Sequence, residues 1–307
     1  MKNSIVEEKN KSAASPATGR LLMVLTAVLW GLAGVCVKSI QWGTMSLVAA
    51  RSVLSLLMLF AAKRSFRVNF TKWNIFGAVM MSATGMLYVE AIKLTTAGTA
   101  IVLQYIAPIL VFLFAVIFQH RKVKVSEALI TLAVFGGIVL SFADDLDASR
   151  ILGNILGLCS GFTFAGQIII MNRPDTDSED SLLISCMLSL VISAPFMFFD
   201  NDLVFDAKNI IWVLILGIFQ YGLANVLFGF GIQKIDKVEA SLILTVEPIF
   251  NPIPVAIFCG EEMGSLALVG FGIVVFFVTL YGLLPTIETR LAKKKGADKS
   301  IEDKGNF

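Results

Sequence analysis

Long apolar runs broken by short polar connections fill the chain from residue 21 to residue 284. A hydrocarbon core about 30 Å thick takes about 20 helical residues to cross. Ten stretches approach that length: 21–40, 44–62, 73–92, 96–118, 125–142, 151–171, 182–199, 210–231, 238–258 and 266–284. The connections hold the turn formers and most of the charge, as in Lys63-Arg64-Ser65-Phe66-Arg67, and no loop is long enough to fold as a domain. The predicted fold is therefore an all-α integral membrane bundle of ten transmembrane helices. Residues 1–20 are polar and lack the apolar core and cleavage site of a removable signal peptide, so the first stretch is expected to remain as an anchor.

Ten crossings put both termini on one side, and the basic residues say which. Of the 25 Lys and Arg residues, 20 fall on the side of the termini and 4 (Lys38, Lys93, Arg150 and Lys208) on the other, with Arg51 inside a span. By the positive-inside rule both termini are expected in the cytoplasm and the protein in the cell membrane. Composition agrees: 56% of residues are hydrophobic, 16% charged, and the mean hydropathy is +0.80, against about 25% charged in soluble domains. A net charge of +2 is too close to neutral to suggest a nucleic-acid partner, and none is expected. Cys36, Cys159, Cys186 and Cys259 lie in or at the ends of apolar runs without CxxC spacing and read as packing residues. The single histidine, His120, sits in a basic loop. No metal or other cofactor is implied.

Two stretches resemble each other. Thr99-Ala100-Ile101-Val102-Leu103-Gln104-Tyr105-Ile106-Ala107-Pro108 can be laid on Glu239-Ala240-Ser241-Leu242-Ile243-Leu244-Thr245-Val246-Glu247-Pro248, with the prolines 140 residues apart (248 minus 108). At that offset Ile109 meets Ile249, Phe118 meets Phe258, and Gly77 meets Gly217. The organisation expected is a cytoplasmic tail (1–20), a first repeat of five spans (21–143), a second of five (150–284) and a basic cytoplasmic tail (285–307). An odd number of spans per repeat inverts the second copy. Many secondary transporters use such inverted repeats for alternating access, with the binding site between the copies at mid-membrane; the plainer reading is duplication that only enlarged a bundle.

Glu247 lies deep in the ninth span, where an acidic side chain costs about 2.5–3.5 kcal/mol on insertion scales. Pro248 follows directly, and Pro252 and Pro254 come soon after; each proline frees a carbonyl one turn earlier, which is tolerated only beside protein or a water-lined cavity. Glu247 thus marks a kinked cavity wall, as acceptor of a proton or a cationic substrate or as an anchor for a neighbouring helix. Arg51 and Glu90 lie in the outer halves of spans two and three, where they can form a structural ion pair or hold the carboxylate and ammonium of an amino-acid substrate. Lys38 and Lys93, at outer span ends, read as snorkelling to the headgroups. Trp30, Tyr88, Gln104, Tyr105, Asn225 and Thr245 complete the candidate cavity, with Pro108 distorting the helix after Gln104 and Tyr105; packing is the plainer reading for Trp30. Gly153, Gly157, Gly161 and Ala165 make a small-residue stripe for close helix approach, within the monomer or across a homodimer.

The motifs resemble the EamA-type branch of the drug/metabolite transporter superfamily. They are Leu29-Trp30-Gly31, Arg51, Leu103-Gln104-Tyr105-Ile106-Ala107-Pro108, Glu247-Pro248-Ile249-Phe250 and Gly260-Glu261, and the likeness runs from about Thr18 to Leu284. It departs at Gln119-His120, where the family often has Gly-Glu. The resemblance implies ten spans in two repeats and export of amino acids, other metabolites or drugs, hence a small-molecule substrate and a lipid bilayer; protons as the coupling ion are the expectation that Glu247 raises. No G-x-x-x-x-G-K-[ST] loop is present for ATP hydrolysis, so the expected activity is secondary transport and not enzymatic. The rival readings are an uncoupled facilitator and a membrane-embedded lipid-processing enzyme, the latter resting on the single acidic cluster Asp144-Asp145-Leu146-Asp147.

Overall fold

Side-chain caps start the helices. Thr71, Thr96, Asp177 and Asp206 each stand just before a helix and accept the backbone N–H three residues on, at 3.2, 3.0, 3.0 and 2.7 Å. Each cap satisfies one of the amides that a helix start leaves unpaired. The computed structural model describes residues 16–63, 67–118, 120, 125–144, 149–235, 239–240, 243–244, 246–261, 264–277 and 279–280.

Among these residues the chain is helical without a strand. Seven helical segments are long and apolar enough to cross a membrane: Pro16–Ser39, Thr44–Ala61, Lys72–Leu94, Ala97–Phe118, Ile151–Met171, Ser178–Phe199 and Ala207–Ile232. Val125–Asp144 forms a further 20-residue helix, and Val246–Cys259 and Ser265–Phe277 are shorter apolar ones. The first helix starts at Pro16, inside the stretch expected to be tail. Numbered in order, the helices are α1 (Pro16–Trp30), α2 (Ala33–Ser39), α3 (Thr44–Lys63), α4 (Lys72–Leu94), α5 (Ala97–Gln104), α6 (Ala107–Phe118), α7 (Val125–Asp144), α8 (Ile151–Met171) and α9 (Ser178–Ser193). After them come α10 (Ala207–Leu214), a π-helical stretch Ile215–Leu223, α11 (Ala224–Ile232), α12 (Val246–Phe250), α13 (Pro252–Cys259) and α14 (Ser265–Phe277).

Four breaks within the apolar segments are set by particular residues, three of them by a proline. Pro108 cannot donate to the Gln104 carbonyl, and the helix breaks between α5 and α6. Pro248 cannot donate to the Leu244 carbonyl; that carbonyl accepts the Glu247 N–H at 2.9 Å and the hydroxyl of Tyr105 instead. Pro252 opens α13 just after the break at Asn251. The fourth interruption, between α1 and α2, falls at Gly31, where an added Cβ would lie 3.0 Å from the Cβ of Phe250.

Packing partners come in matched pairs. The helix α4 lies on α8 as α11 lies on α1, and α4 lies on α9 as the π stretch lies on α3, with α3 and α9 packed at the centre. Exchanging the two halves of the chain exchanges these contacts. A finer correspondence sits at the two ends of the bundle. Asn74 and Asn209 each stand three residues after a capping residue, and both are 2% exposed. Asn209 Oδ1 accepts the Gln41 N–H at 3.2 Å, and Asn74 Oδ1 accepts the Asp177 N–H at 2.9 Å. Asn209 thus pins the connection that enters α3, and Asn74 the connection that enters α9, each from the other half of the chain. Asn74 also donates to the Asn69 carbonyl at 2.8 Å. We expect Asn74→Ala to lower thermal stability in detergent more than Asn209→Ala does, each orphaned partly buried group costing about 1–3 kcal/mol. Negligible losses in both variants would show that the clamps carry no load.

Lys38 and Lys93 do not reach out toward headgroups. Lys38 pairs with Glu261 at 2.7 Å and donates to the Thr95 carbonyl at 2.8 Å, while Lys93 donates to the Ile40 carbonyl at 2.5 Å. Glu261 in turn accepts the Ala97 N–H at 2.6 Å, at the start of α5. Carbonyls at helix ends attract both cations inward. Trp42 closes the same end, donating to the Val204 carbonyl at 2.8 Å and packing edge-on against Phe205.

Candidate functional site

The irregular backbone converges on one cavity. Its volume is about 60 Å³, room for several water molecules at the 10–15 Å³ or so that each needs. From the first half of the chain, Trp30, Arg51, Tyr88 and Gln104 line it, with Met81, Thr84 and Gly85 of α4. From the second half come Phe164, Gln167, Gln220, Tyr221, Asn225 and Glu247. Trp30 closes α1, Gln104 closes α5, Gln220 and Tyr221 ride on the π stretch, and Glu247 sits on the short α12. Backbone that departs from the α-helix inside an apolar bundle is expected where it borders a cavity, and π insertions recur at functional sites.

Glu247 is 3% exposed. The Tyr105 hydroxyl reaches its Oε2 at 3.2 Å and also the Leu244 carbonyl. One hydroxyl hydrogen serves one acceptor at a time. When Leu244 takes it, the Tyr105 oxygen is left to accept from a protonated Glu247; when Glu247 is ionised, it is the better acceptor. The arrangement therefore accommodates both protonation states without moving a helix. Tyr105 itself is fully buried and stands behind the cavity wall. The Tyr88 hydroxyl accepts from Asn251 Nδ2 at 3.3 Å, which ties α4 to the break beside Pro252.

Arg51 lines the cavity with its guanidinium 4.3 Å from the ring centroid of Tyr221. It is 3% exposed, and its Nε and Nη2 have no hydrogen-bond partner among the described residues. The expected pairing with Glu90 does not form: Glu90 is half-buried and does not line the cavity. Depth along a helix places two residues at one level but not on facing sides. Arg51 and Glu247, from opposite halves, are the two charged side chains at the cavity. Trp30 both packs and lines, edge-on to Phe164 at 5.7 Å and tilted on Phe228 at 5.2 Å. Asn225 donates to the Tyr221 carbonyl at 2.8 Å, back along its own helix.

Pro108, Pro248, Pro252 and Pro254 stand at or just after the breaks already described, while Thr245 and most of the Asp144–Asp147 cluster lie outside the described residues. No group of three or more His, Cys, Asp or Glu suited to a metal occurs among the described residues. The sequence reading passed over Thr84, Gln167, Gln220 and Tyr221. Mid-span amides such as Gln167 and Gln220 are the signal that could have found two of them.

Comparison with known proteins adds to this geometry. A family model described as the EamA-like transporter family matches twice, over residues 17–143 and 151–283. A protein from Archaeoglobus fulgidus described as an uncharacterized transporter is 25% identical over 256 residues, covering 82% of this chain and 92% of its own. One solved crystal structure superposes with a TM-score of 0.67 over 87% of this chain and 97% of its own, at 16% identity, a likeness of fold.

Proposed function

We propose, from the premise that this chain belongs to the EamA-like transporter family, that it is a secondary-active exporter of small metabolites or drug-like compounds. It is a multi-pass membrane protein. In this reading it crosses the cell membrane ten times with both termini in the cytoplasm, and its two inverted halves alternate access to the cavity they share. The observation that carries the reading is the placement of a buried acid, Glu247, at a cavity walled by both halves. An ionisable group at such depth is otherwise costly, and a site between repeats is where alternating access needs one. The matched packing of the halves and the 20-to-4 division of basic residues support the inverted topology.

The test is a metabolite-efflux screen in cells lacking or overproducing the protein, followed by counterflow in proteoliposomes with the compound found. Exchange of the unaltered compound across the bilayer without ATP is the expected result. A chemically modified product would support a lipid-processing or other membrane enzyme instead, and exchange that ignores every ion gradient would support a facilitator.

A further inference from the structure

We propose that the transported compound carries a carboxylate, and that Arg51 is its counter-charge. The inference rests on the transport reading of the same cavity and adds the substrate's chemistry. Nε and Nη2 are the two nitrogens of one guanidinium edge, the edge that takes a carboxylate through two parallel hydrogen bonds. Both are buried without an acceptor among the described residues, although a buried charged donor is among the costliest groups to leave unmatched.

The face of the same guanidinium is already engaged by Tyr221 at 4.3 Å, which fixes the plane and leaves the edge for a ligand. Gly85 makes room for it: an added Cβ would stand 2.4 Å from Nη2. Arg51 forms no ion pair with Glu247, the acid at the same cavity, or with any other carboxylate among the described residues. Trp30, Met81 and Phe164 supply apolar walls, so the compound that fits is a small carboxylate with an apolar body. The cavity of about 60 Å³ is smaller than such a compound, and binding goes with the opening of one side.

The test uses the purified full-length protein in detergent and measures thermal stabilisation by benzoate, 3-phenylpropanoate and phenylalanine, each against its carboxamide, with phenethylamine as the cationic control. At least one carboxylate should stabilise the protein where its amide does not. Arg51→Gln should weaken that carboxylate by about ten- to a hundredfold, as the loss of charge-assisted hydrogen bonds predicts, with Arg51→Lys in between because an ammonium lacks the fork. Should Arg51→Gln fail to fold, Gly85→Ala displaces the guanidinium without removing charge and should weaken carboxylates selectively. Amides or the amine binding as well as carboxylates, or carboxylate binding that survives Arg51→Gln, would overturn the role of Arg51 while leaving transport standing. A panel in which nothing binds overturns the carboxylate assignment, and counterflow then decides on transport separately.

Discussion

Replacing Glu247 by Gln is expected to abolish the response of transport to an imposed proton gradient while leaving exchange of substrate largely intact. The two side chains have the same shape, and glutamine still offers an oxygen to the Tyr105 hydroxyl, which reaches Oε2 at 3.2 Å. A group that served only to anchor α12 would lose little. Counterflow should therefore slow by about two- to tenfold, the effect of weakening a hydrogen bond worth about 0.5–1.5 kcal/mol. Gradient-driven accumulation should fall to that of the variant without a gradient, because Glu247 is the one carboxyl among the side chains lining the cavity. Tyr105→Phe provides the contrast. It removes the hydroxyl that reaches both Glu247 and the Leu244 carbonyl, so it should lower stability and shift the pH dependence of transport without erasing coupling. Gradient-driven uptake that persists in Glu247→Gln would remove this acid from the mechanism and leave it as the anchor of a broken helix.

The alternation of apolar runs and basic connections made the helices readable, since apolar length and capping residues are local properties. The prolines at 108 and 248 were equally readable because each removes a hydrogen bond at a known distance along the chain. The site was legible only in part. Trp30, Arg51, Tyr88, Gln104, Asn225 and Glu247 line the cavity, each a polar or large aromatic residue at depth. Gln220 and Tyr221 reach it through a π stretch whose extra backbone residue leaves no trace in the hydrophobic pattern. Gly85 offers no side-chain chemistry; its importance lies in what it lets Arg51 do. The Arg51–Glu90 pairing fails for a related reason: depth could be counted from sequence, whereas helix rotation depends on packing. The asparagine clamps show a repeat signal weaker than the proline pair, because Asn74 and Asn209 align at a shorter offset than Pro108 and Pro248 do.

Among the glycines of α8, Gly161→Leu should be the substitution that the fold tolerates least. An added Cβ there would stand 2.5 Å from Ile106 Cγ2 and 2.7 Å from the Gln104 carbonyl oxygen. The first contact can be relieved by a rotamer change, but the second is backbone. Overpacking of an otherwise well-fitted contact costs about 1–3 kcal/mol and more where backbone must move, a large share of the roughly 5–15 kcal/mol that holds a protein folded. Leucine at 161 is thus expected to leave little monodisperse protein after extraction. Gly157→Leu should be milder, its Cβ meeting Leu103 Cβ at 3.3 Å, and Gly136→Leu on α7 should be neutral, since nothing lies within 4 Å of it. The ranking also bears on the stripe's purpose. Its glycines face α5 and the chain just before and just after it, so the small residues serve close approach inside the monomer. The carbonyl that Gly161 accommodates is the one that Pro108 leaves without a helix partner, and it belongs to Gln104 at the cavity. A smaller intrusion, Gly161→Ala, should therefore slow counterflow before it lowers the melting temperature appreciably, because it displaces the end of α5 that carries Gln104 and Tyr105. If Gly161→Leu were recovered folded and as stable as Gly136→Leu, the packing of α8 on α5 would be looser than these distances allow.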